Sequence, residues 1–371
     1  MKIPFNRPYF TGEEKKFIGE AIMQGKISGN GLFTQKCQSL MEEKFGFHKC
    51  LLTTSCTDAL EMTALLLNIR EGDEVIVPSF TFVSTALAYA VRGARVVFAD
   101  SLPTHPNIDP DSVRKRINSR TKAIVVMHYA GFPCQMNELT ELAEEHNLMI
   151  IEDAAHSLGM TFNGIYLGNF GQMSAFSFHE TKNIHCGEGG CLIVNSPDLV
   201  ERAEILWEKG TNRVAFGRGE AASYEWKDLG SSFLPSEISA AFLYAQLLHF
   251  DEIQHARHSV RQKYISLLQP LAEKGNISLP ETEPNAGFFY LLAGNREERD
   301  ALLKYLNGQG IQSVFHYLPL HKSSFAVQTY GDSYLPEASR YADCIIRLPF
   351  FNELKDNEIE YCCEKISAFF S

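Results

Sequence analysis

The chain has no apolar run near the roughly 18 residues that a membrane-spanning helix needs, and its first residues, MKIPFNRPYF, lack the apolar core of a secretory signal. A cytoplasmic protein without a membrane partner is therefore expected. No block of lysine and arginine stands out against a formal net charge of -11, so nucleic acid and anionic membrane surfaces are poor partners. No CxxC pair occurs, and the nine cysteines are scattered without a repeated spacing. In a cytosolic chain that pattern reads as reduced, packed thiols, the adjacent Cys362 and Cys363 included. There is no internal repeat and no low-complexity linker.

What remains is the composition of an ordinary soluble enzyme, 45% hydrophobic and 21% charged over 371 residues. That length suggests one large and one smaller domain. From about residue 50 to 195, short apolar runs such as EVIVPSFTF, ARVVFAD, KAIVVMHY and LMIIEDA alternate with amphipathic segments. The alternation predicts a mostly parallel sheet covered by helices on both faces. After residue 197 the helical stretches lengthen. The segment SEISAAFLYAQLLHFDEIQHARHSVRQKYISLLQPLAEKG is expected to form one long helix leading into a smaller C-terminal α/β unit. The expected division is 1–250 and 251–371.

In such sheets ligands sit beyond the carboxyl ends of the strands, which directs attention to the residues just after each apolar run. LLTTSCTDALE puts Ser55, Cys56 and Thr57 at a turn opening a helix, where free N–H groups and hydroxyls suit a phosphate or carboxylate, or equally a simple cap. PSFTFVST ends a strand with Phe80 and Phe82, each fit for the core or for stacking on a planar ring. MIIEDAAHS ends a buried strand in Glu152 and Asp153, with His156 close behind. A buried acid there needs a cationic partner, whether a ring nitrogen, a metal or an arginine, unless it caps the next helix.

FSFHETKNIHCGEGG, residues 176–190, gathers one lysine, two histidines, a cysteine and glycines past another strand. Period-two alternation points Ser177 to one face and Phe176 and Phe178 to the other. His179, His185, Cys186 and Cys191 fit no usual zinc spacing, so no metal is expected. The glycines match neither dinucleotide nor Walker loops. In isolation Lys182 could be a solvated loop lysine. With a phosphate turn, a stacking aromatic and a strand-end acid upstream, it completes the parts needed to hold pyridoxal phosphate. The acid would keep the ring nitrogen protonated, and the lysine would bond the cofactor and later shuttle protons.

EDAAHSLG, FSFHETKN with GEGG, PSFTFVST and HYLPLH resemble the nucleotide-sugar aminotransferases of the DegT/DnrJ/EryC1/StrS family, and the likeness runs from PFNRPYFTGEE to RLPFFNEL. The resemblance implies a fold-type-I α/β enzyme, with a mostly parallel seven-stranded sheet sandwiched by helices and a smaller C-terminal α/β domain. FSFHETKN, KGTNR and DLGSSF look most like transaminases acting on dTDP-4-keto-6-deoxyglucose, with L-glutamate as donor, 2-oxoglutarate as product, and pyridoxamine 5'-phosphate as the form that carries nitrogen between them. By resemblance, Lys182 bonds the cofactor and Asp153 meets its ring nitrogen. Ser55, Cys56, Thr57 and Ser177 hold its phosphate, Phe82 stacks on it, and His156 stands where many members have glutamine. Ser232 replaces an asparagine that reaches the neighbouring subunit's cofactor, which implies a homodimer with shared active sites. Ser28, Gly29, Asn30, His316, Tyr317 and His321 match segments lining a sugar pocket, and Arg213 matches one near a pyrophosphate. Relatives that dehydrate keto sugars replace the lysine, which this chain retains. Transfer at C3 of the sugar and a non-catalytic regulatory role stay open.

Overall fold

The computed structural model describes residues 1–280 and 287–371. Seven strands form the large sheet: β1 (Cys50–Thr53), β2 (Glu74–Pro78), β3 (Arg95–Ala99), β4 (Thr121–Met127), β5 (Met149–Asp153), then, after a small hairpin of β6 (Thr161–Phe162) and β7 (Ile165–Tyr166), β8 (Met173–Ser177) and β9 (Gly190–Val194). Their spatial order is β1-β9-β8-β5-β4-β2-β3. From β3 to β8 all pairs are parallel, and β9 runs antiparallel to both β8 and β1.

Alternation within each strand explains the two helical layers. Val75, Val77, Val125 and Ile151 enter one core, whereas Ile76, Ile124, Val126 and Ile150 enter another on the opposite face. Both faces are apolar, so both must be covered, and the strands read as continuous hydrophobic runs. The same alternation separates the two acids that end β5. Glu152 turns into the protein and accepts N–H bonds from Gly168, Phe170 and Gly171 at 2.7–2.8 Å and one from His128 at 3.0 Å. Asp153 turns the other way, towards the carboxyl edge of the sheet.

A second, two-stranded sheet pairs β10 (Tyr290–Leu292) with β11 (Ile345–Arg347), flanked by helices Arg296–Gly308, Pro336–Cys344 and Asp356–Phe369. The first residues of the chain are tied to this region: the Ile3 N–H donates to the Gly310 carbonyl and the Phe350 N–H to the Phe5 carbonyl.

The long helix expected over 236–275 is instead two, Glu237–Leu248 and Phe250–Glu273, broken at His249. The first helix stays in one core, and the second starts there with Phe250 and Ile253 before passing into another. Ala240, Ala241, Leu243 and Leu247 pack with the N-terminal helices, while Val260, Tyr264 and Leu268 pack with the C-terminal unit. The His249 ring fixes the corner, lying 2.9 Å from Glu252 and 3.2 Å from Glu13.

Candidate active site

The carboxyl edge of the large sheet and the small sheet enclose a cavity of about 550 Å³. Its floor comes from β5, β8 and the helix Cys56–Leu66. Ser55 is extended and caps that helix, accepting the Asp58 N–H at 3.1 Å, which leaves the Cys56 and Thr57 amides ahead of any intrahelical acceptor. The window 176–190 makes this approach possible. A Cβ on Gly190 would sit 2.4 Å from the Cys56 nitrogen, so only glycine lets the β9 backbone run beside the helix start. That glycine therefore serves the phosphate turn's position rather than binding anything itself. Ser177 lines the cavity, and its neighbours Phe176 and Phe178 are buried in the core behind.

Asp153 lies at the end of β5, level with Met127 on one side and Ala175 on the other. It is 5% exposed. One oxygen accepts the Thr85 hydroxyl at 2.6 Å and the other the Ala155 N–H at 3.2 Å. No lysine, arginine or histidine forms an ion pair with it among the described residues. Burial raises its pKa, with Thr85, Ala155 and then the more distant Lys182 opposing. Lys182 follows β8 on a tight turn, its N–H donating to the His179 carbonyl at 2.9 Å. Burial lowers its amine from 10.5 to about 8, and Arg347 pushes the same way, while Cys56 and Asp153 resist.

A lowered pKa means that the neutral, nucleophilic amine is the favoured form above about pH 8, and the ammonium below it. Amine-selective labelling of the apoprotein, followed by peptide mass spectrometry, is expected to give Lys182 a half-maximal modification near pH 8. A midpoint shared with the surface lysines would contradict the burial argument.

The remaining wall is aromatic. Phe82 is 52% exposed, and its ring centroid lies 5.8 Å from that of Tyr317. Phe80, by contrast, is buried against Tyr129 and Tyr341. The Tyr317 hydroxyl approaches His156 Nε2 at 3.5 Å, and His156 Nδ1 is buried with no partner. Burial, then the charges of Lys182 and Arg347, hold His156 well below its ordinary pKa, and burial takes His316 down to about 4. Both rings are neutral acceptors at physiological pH.

Ser55, Cys56, Thr57, Phe82, Asp153, His156, Ser177, Lys182, His316 and Tyr317 thus meet at one cavity, but six other expected residues do not. His321 is buried beneath, its Nδ1 2.6 Å from the Ser79 hydroxyl. Ser28 and Ser232 are exposed; the 28–30 and 232–235 segments lie side by side, and a Cβ on Gly29 would meet Leu234 at 2.6 Å. Asn30 lies on the same surface, its carbonyl accepting from Lys26. Arg213 opens a short exposed helix. Within one chain these reach no part of the cavity. Conversely, Thr85, Phe288 and Arg347 were missed. Arg347 ends the apolar run DCIIR, so the strand-end rule would have found it had it been applied to the small sheet as well.

The site fits pyridoxal phosphate. It offers a buried acid with no cation in contact, an unpartnered buried imidazole nitrogen, free helix-opening amides and a neutral-prone lysine. This sheet and this constellation define a pyridoxal-phosphate enzyme of fold type I. Comparison with known proteins narrows the class. The description "DegT/DnrJ/EryC1/StrS aminotransferase family" matches residues 8–367, and the chain belongs to that family. It is 30% identical to the GDP-perosamine synthase of Escherichia coli O157:H7 over 370 residues, covering 100% of this chain and 99% of that one. It is 34% identical to the dTDP-3-amino-3,4,6-trideoxy-alpha-D-glucose transaminase of Streptomyces venezuelae, covering 79% and 75%. The crystal structure of the aminotransferase TlmJ from Streptoalloteichus hindustanus superposes with a TM-score of 0.91 at 28% identity, over 99% and 98% of the two chains. The protein is a pyridoxal-phosphate-dependent nucleotide-sugar aminotransferase.

Proposed function

We propose that the enzyme transfers an amino group from L-glutamate to C4 of dTDP-4-keto-6-deoxyglucose, giving a dTDP-4-amino-4,6-dideoxyhexose for a cell-surface polysaccharide such as the O-antigen of lipopolysaccharide. The observation that carries the chemistry is the presence of Lys182 and Asp153 on one cavity. The C4 assignment is supported by the likeness of FSFHETKN, KGTNR and DLGSSF to transaminases of that substrate class.

Pyridoxal phosphate, when bound, supplies a carbonyl that accepts the donor's amine and a ring that draws electrons from the carbon losing its proton. Asp153 would hold the positive ring nitrogen. The Cys56 and Thr57 amides, with the Ser55 and Ser177 hydroxyls, would hold the phosphate at the helix start. Phe82 would cover one ring face, and His156 would meet the ring's oxygen substituent. Lys182 Nζ takes the proton from the donor's α-carbon as a neutral amine and returns it elsewhere as an ammonium. A pKa near 8 keeps both forms populated at neutral pH. In the second half of the cycle the same amine moves the proton in the reverse sense, while the keto sugar gains nitrogen.

The active site is completed by a second copy of the chain. Ser28, Gly29, Asn30, Arg213 and Ser232 would then serve the partner's cavity, with Arg213 near a pyrophosphate. An apolar stripe at Val83, Leu87 and Val91, spaced one helical turn apart, together with Leu229 is exposed on the single chain and suits such an interface.

A second reading is favoured by the 34% identical transaminase, whose product name carries nitrogen at C3. Incubation with L-glutamate and dTDP-4-keto-6-deoxyglucose, followed by NMR of the sugar, separates the two. Nitrogen at C4 is expected. Conversion only of a 3-keto substrate, or only of a GDP-linked sugar, would replace the proposal.

A further inference from the structure

The first ten residues run as a strap from the small sheet's side of the molecule to the turn that carries Lys182. At one end Ile3 is buried, its N–H donating to the Gly310 carbonyl at 2.9 Å and its carbonyl accepting the Gln312 N–H at 3.0 Å. The Phe5 N–H donates to the Gln312 side-chain oxygen at 3.1 Å, and the Phe5 carbonyl accepts the Phe350 N–H at 3.2 Å. The Phe5 ring lines the active cavity, 6.0 Å from that of His316. Beyond Phe5 the strap crosses to the large sheet. The Asn6 side-chain amide donates to the Glu180 carbonyl at 3.2 Å. The Tyr9 carbonyl accepts the His185 Nε2–H at 2.8 Å and the Gln246 side-chain amide at 2.9 Å. Glu180 and His185, the two points that the strap holds, bracket Lys182 in sequence.

Bonds within the turn set its local shape: the Lys182 N–H donates to the His179 carbonyl at 2.9 Å and the Glu180 N–H to the Gly187 carbonyl at 2.8 Å. The strap sets the turn's distance from the small sheet, because it is bonded to both. His185 suits a fixed post rather than an acid or base. It is 2% exposed, the Phe242 and Phe10 rings lie at 5.5 and 6.2 Å, and burial lowers its pKa. The ring is therefore neutral at physiological pH, with its one N–H committed to the Tyr9 carbonyl and its Nδ1 buried without a partner. Neither Asn6 nor His185 lines the cavity. A lysine that must reach one atom and carry a proton between others depends closely on position, since a displacement of about 1 Å can cost roughly 100-fold in rate.

We propose that Asn6 and His185 are positioning residues for Lys182: through the N-terminal strap they hold the lysine's turn at a fixed distance from the small sheet, which sets the reach of the amine. The inference rests on the reading of Lys182 as the reacting amine. It gives a role to a histidine of the 176–190 window that neither touches the cavity nor belongs to a metal site. It also makes the first residues of the chain, far from Lys182 in sequence, part of what the reaction requires.

The test uses Asn6→Ala, His185→Leu and His185→Gln, the last able to return a donor to the Tyr9 carbonyl. Amine-selective labelling of the full-length apoprotein reports the surroundings of Lys182, which Arg347, Cys56 and Asp153 face. A slackened turn admits water, so in Asn6→Ala and His185→Leu the labelling midpoint is expected to rise from near pH 8 by roughly one unit, towards the surface lysines. In single turnovers of the holoenzyme with L-glutamate, the saturated rate is expected to fall roughly 10- to 100-fold, with the half-saturating concentration within about threefold of wild type. His185→Gln should recover most of both. Thermal melts are run alongside. A merely structural pair would lower the melting temperature and leave the midpoint and the saturated rate at their wild-type values, which overturns the proposal. A saturated rate within about threefold of wild type overturns it even where the midpoint moves, and so does an unmoved midpoint beside a lost rate. If His185→Leu does not fold, Asn6→Ala, at a half-buried position, decides. If the wild-type holoenzyme turns over no L-glutamate, the donor reading fails by itself, and the labelling midpoint alone decides this proposal.

Discussion

Replacing Lys182 by alanine is expected to lower amino transfer by about 1,000-fold or more, because Arg347, His156 and His316 are poor proton carriers in its place. Arg347 stays protonated at any working pH. His156 and His316 are neutral bases with lowered pKa values, tied to Tyr317 and Arg347. Cofactor binding should survive in weakened form, since the strand-end acid and the helix-opening amides remain. The checks are independent. Single-turnover NMR of the sugar reports the chemistry. Borohydride treatment should fix the cofactor's mass on the wild-type peptide containing Lys182 and on no peptide of the variant. Near-normal transfer by Lys182→Ala would refute the assignment of the proton shuttle.

Lys182 was legible in the sequence because it follows an apolar run and has the strand-end acid Asp153 upstream; alone it reads equally as a loop lysine. A parallel sheet needs apolar runs, each run has a carboxyl end, and the residues there face the ligand side whatever the rest of the fold does. Asp153 and Ser177 were legible for the same reason, and alternation alone separates Asp153 from its neighbour Glu152. Three things were not. The break at His249 depends on which cores the two helical halves meet, and a continuous apolar stripe is silent on that. His321 sits in a motif that suggests a pocket, yet a serine beneath it captures its ring, a contact between residues 242 positions apart. Ser28, Arg213 and Ser232 lie on the surface of one chain. Only resemblance suggests them, because the role proposed for them needs a second copy of the chain, which no periodicity encodes.

The Asp153→Asn variant offers the second large effect, and its energetics separate function from stability. Asparagine keeps the shape of the side chain and an oxygen for the Thr85 hydroxyl, but removes the negative charge presented to the ring nitrogen. Removing one partner of a buried charge pair typically costs about 3–5 kcal/mol, so turnover is expected to fall by roughly 200- to 5,000-fold. Thr85→Val, which removes only the 2.6 Å hydrogen bond to Asp153, should cost much less. The apoprotein should respond in the opposite sense. Burial raises the Asp153 pKa in the folded state. A group with a raised folded pKa contributes stability below its unfolded pKa and loses it as pH rises through the folded one. At neutral pH the charged acid is therefore a burden on the cofactor-free fold. Asp153→Asn apoprotein is expected to melt at the same temperature as wild type or higher at pH 7, and to gain less from added pyridoxal phosphate. Its cofactor affinity should also lose the decline that the wild type shows as pH falls and the acid takes up a proton. A variant that melted lower than wild type without cofactor would make Asp153 a structural residue. The expected pattern, a more stable apoprotein with a poorer site, is what a charge retained for its ligand produces.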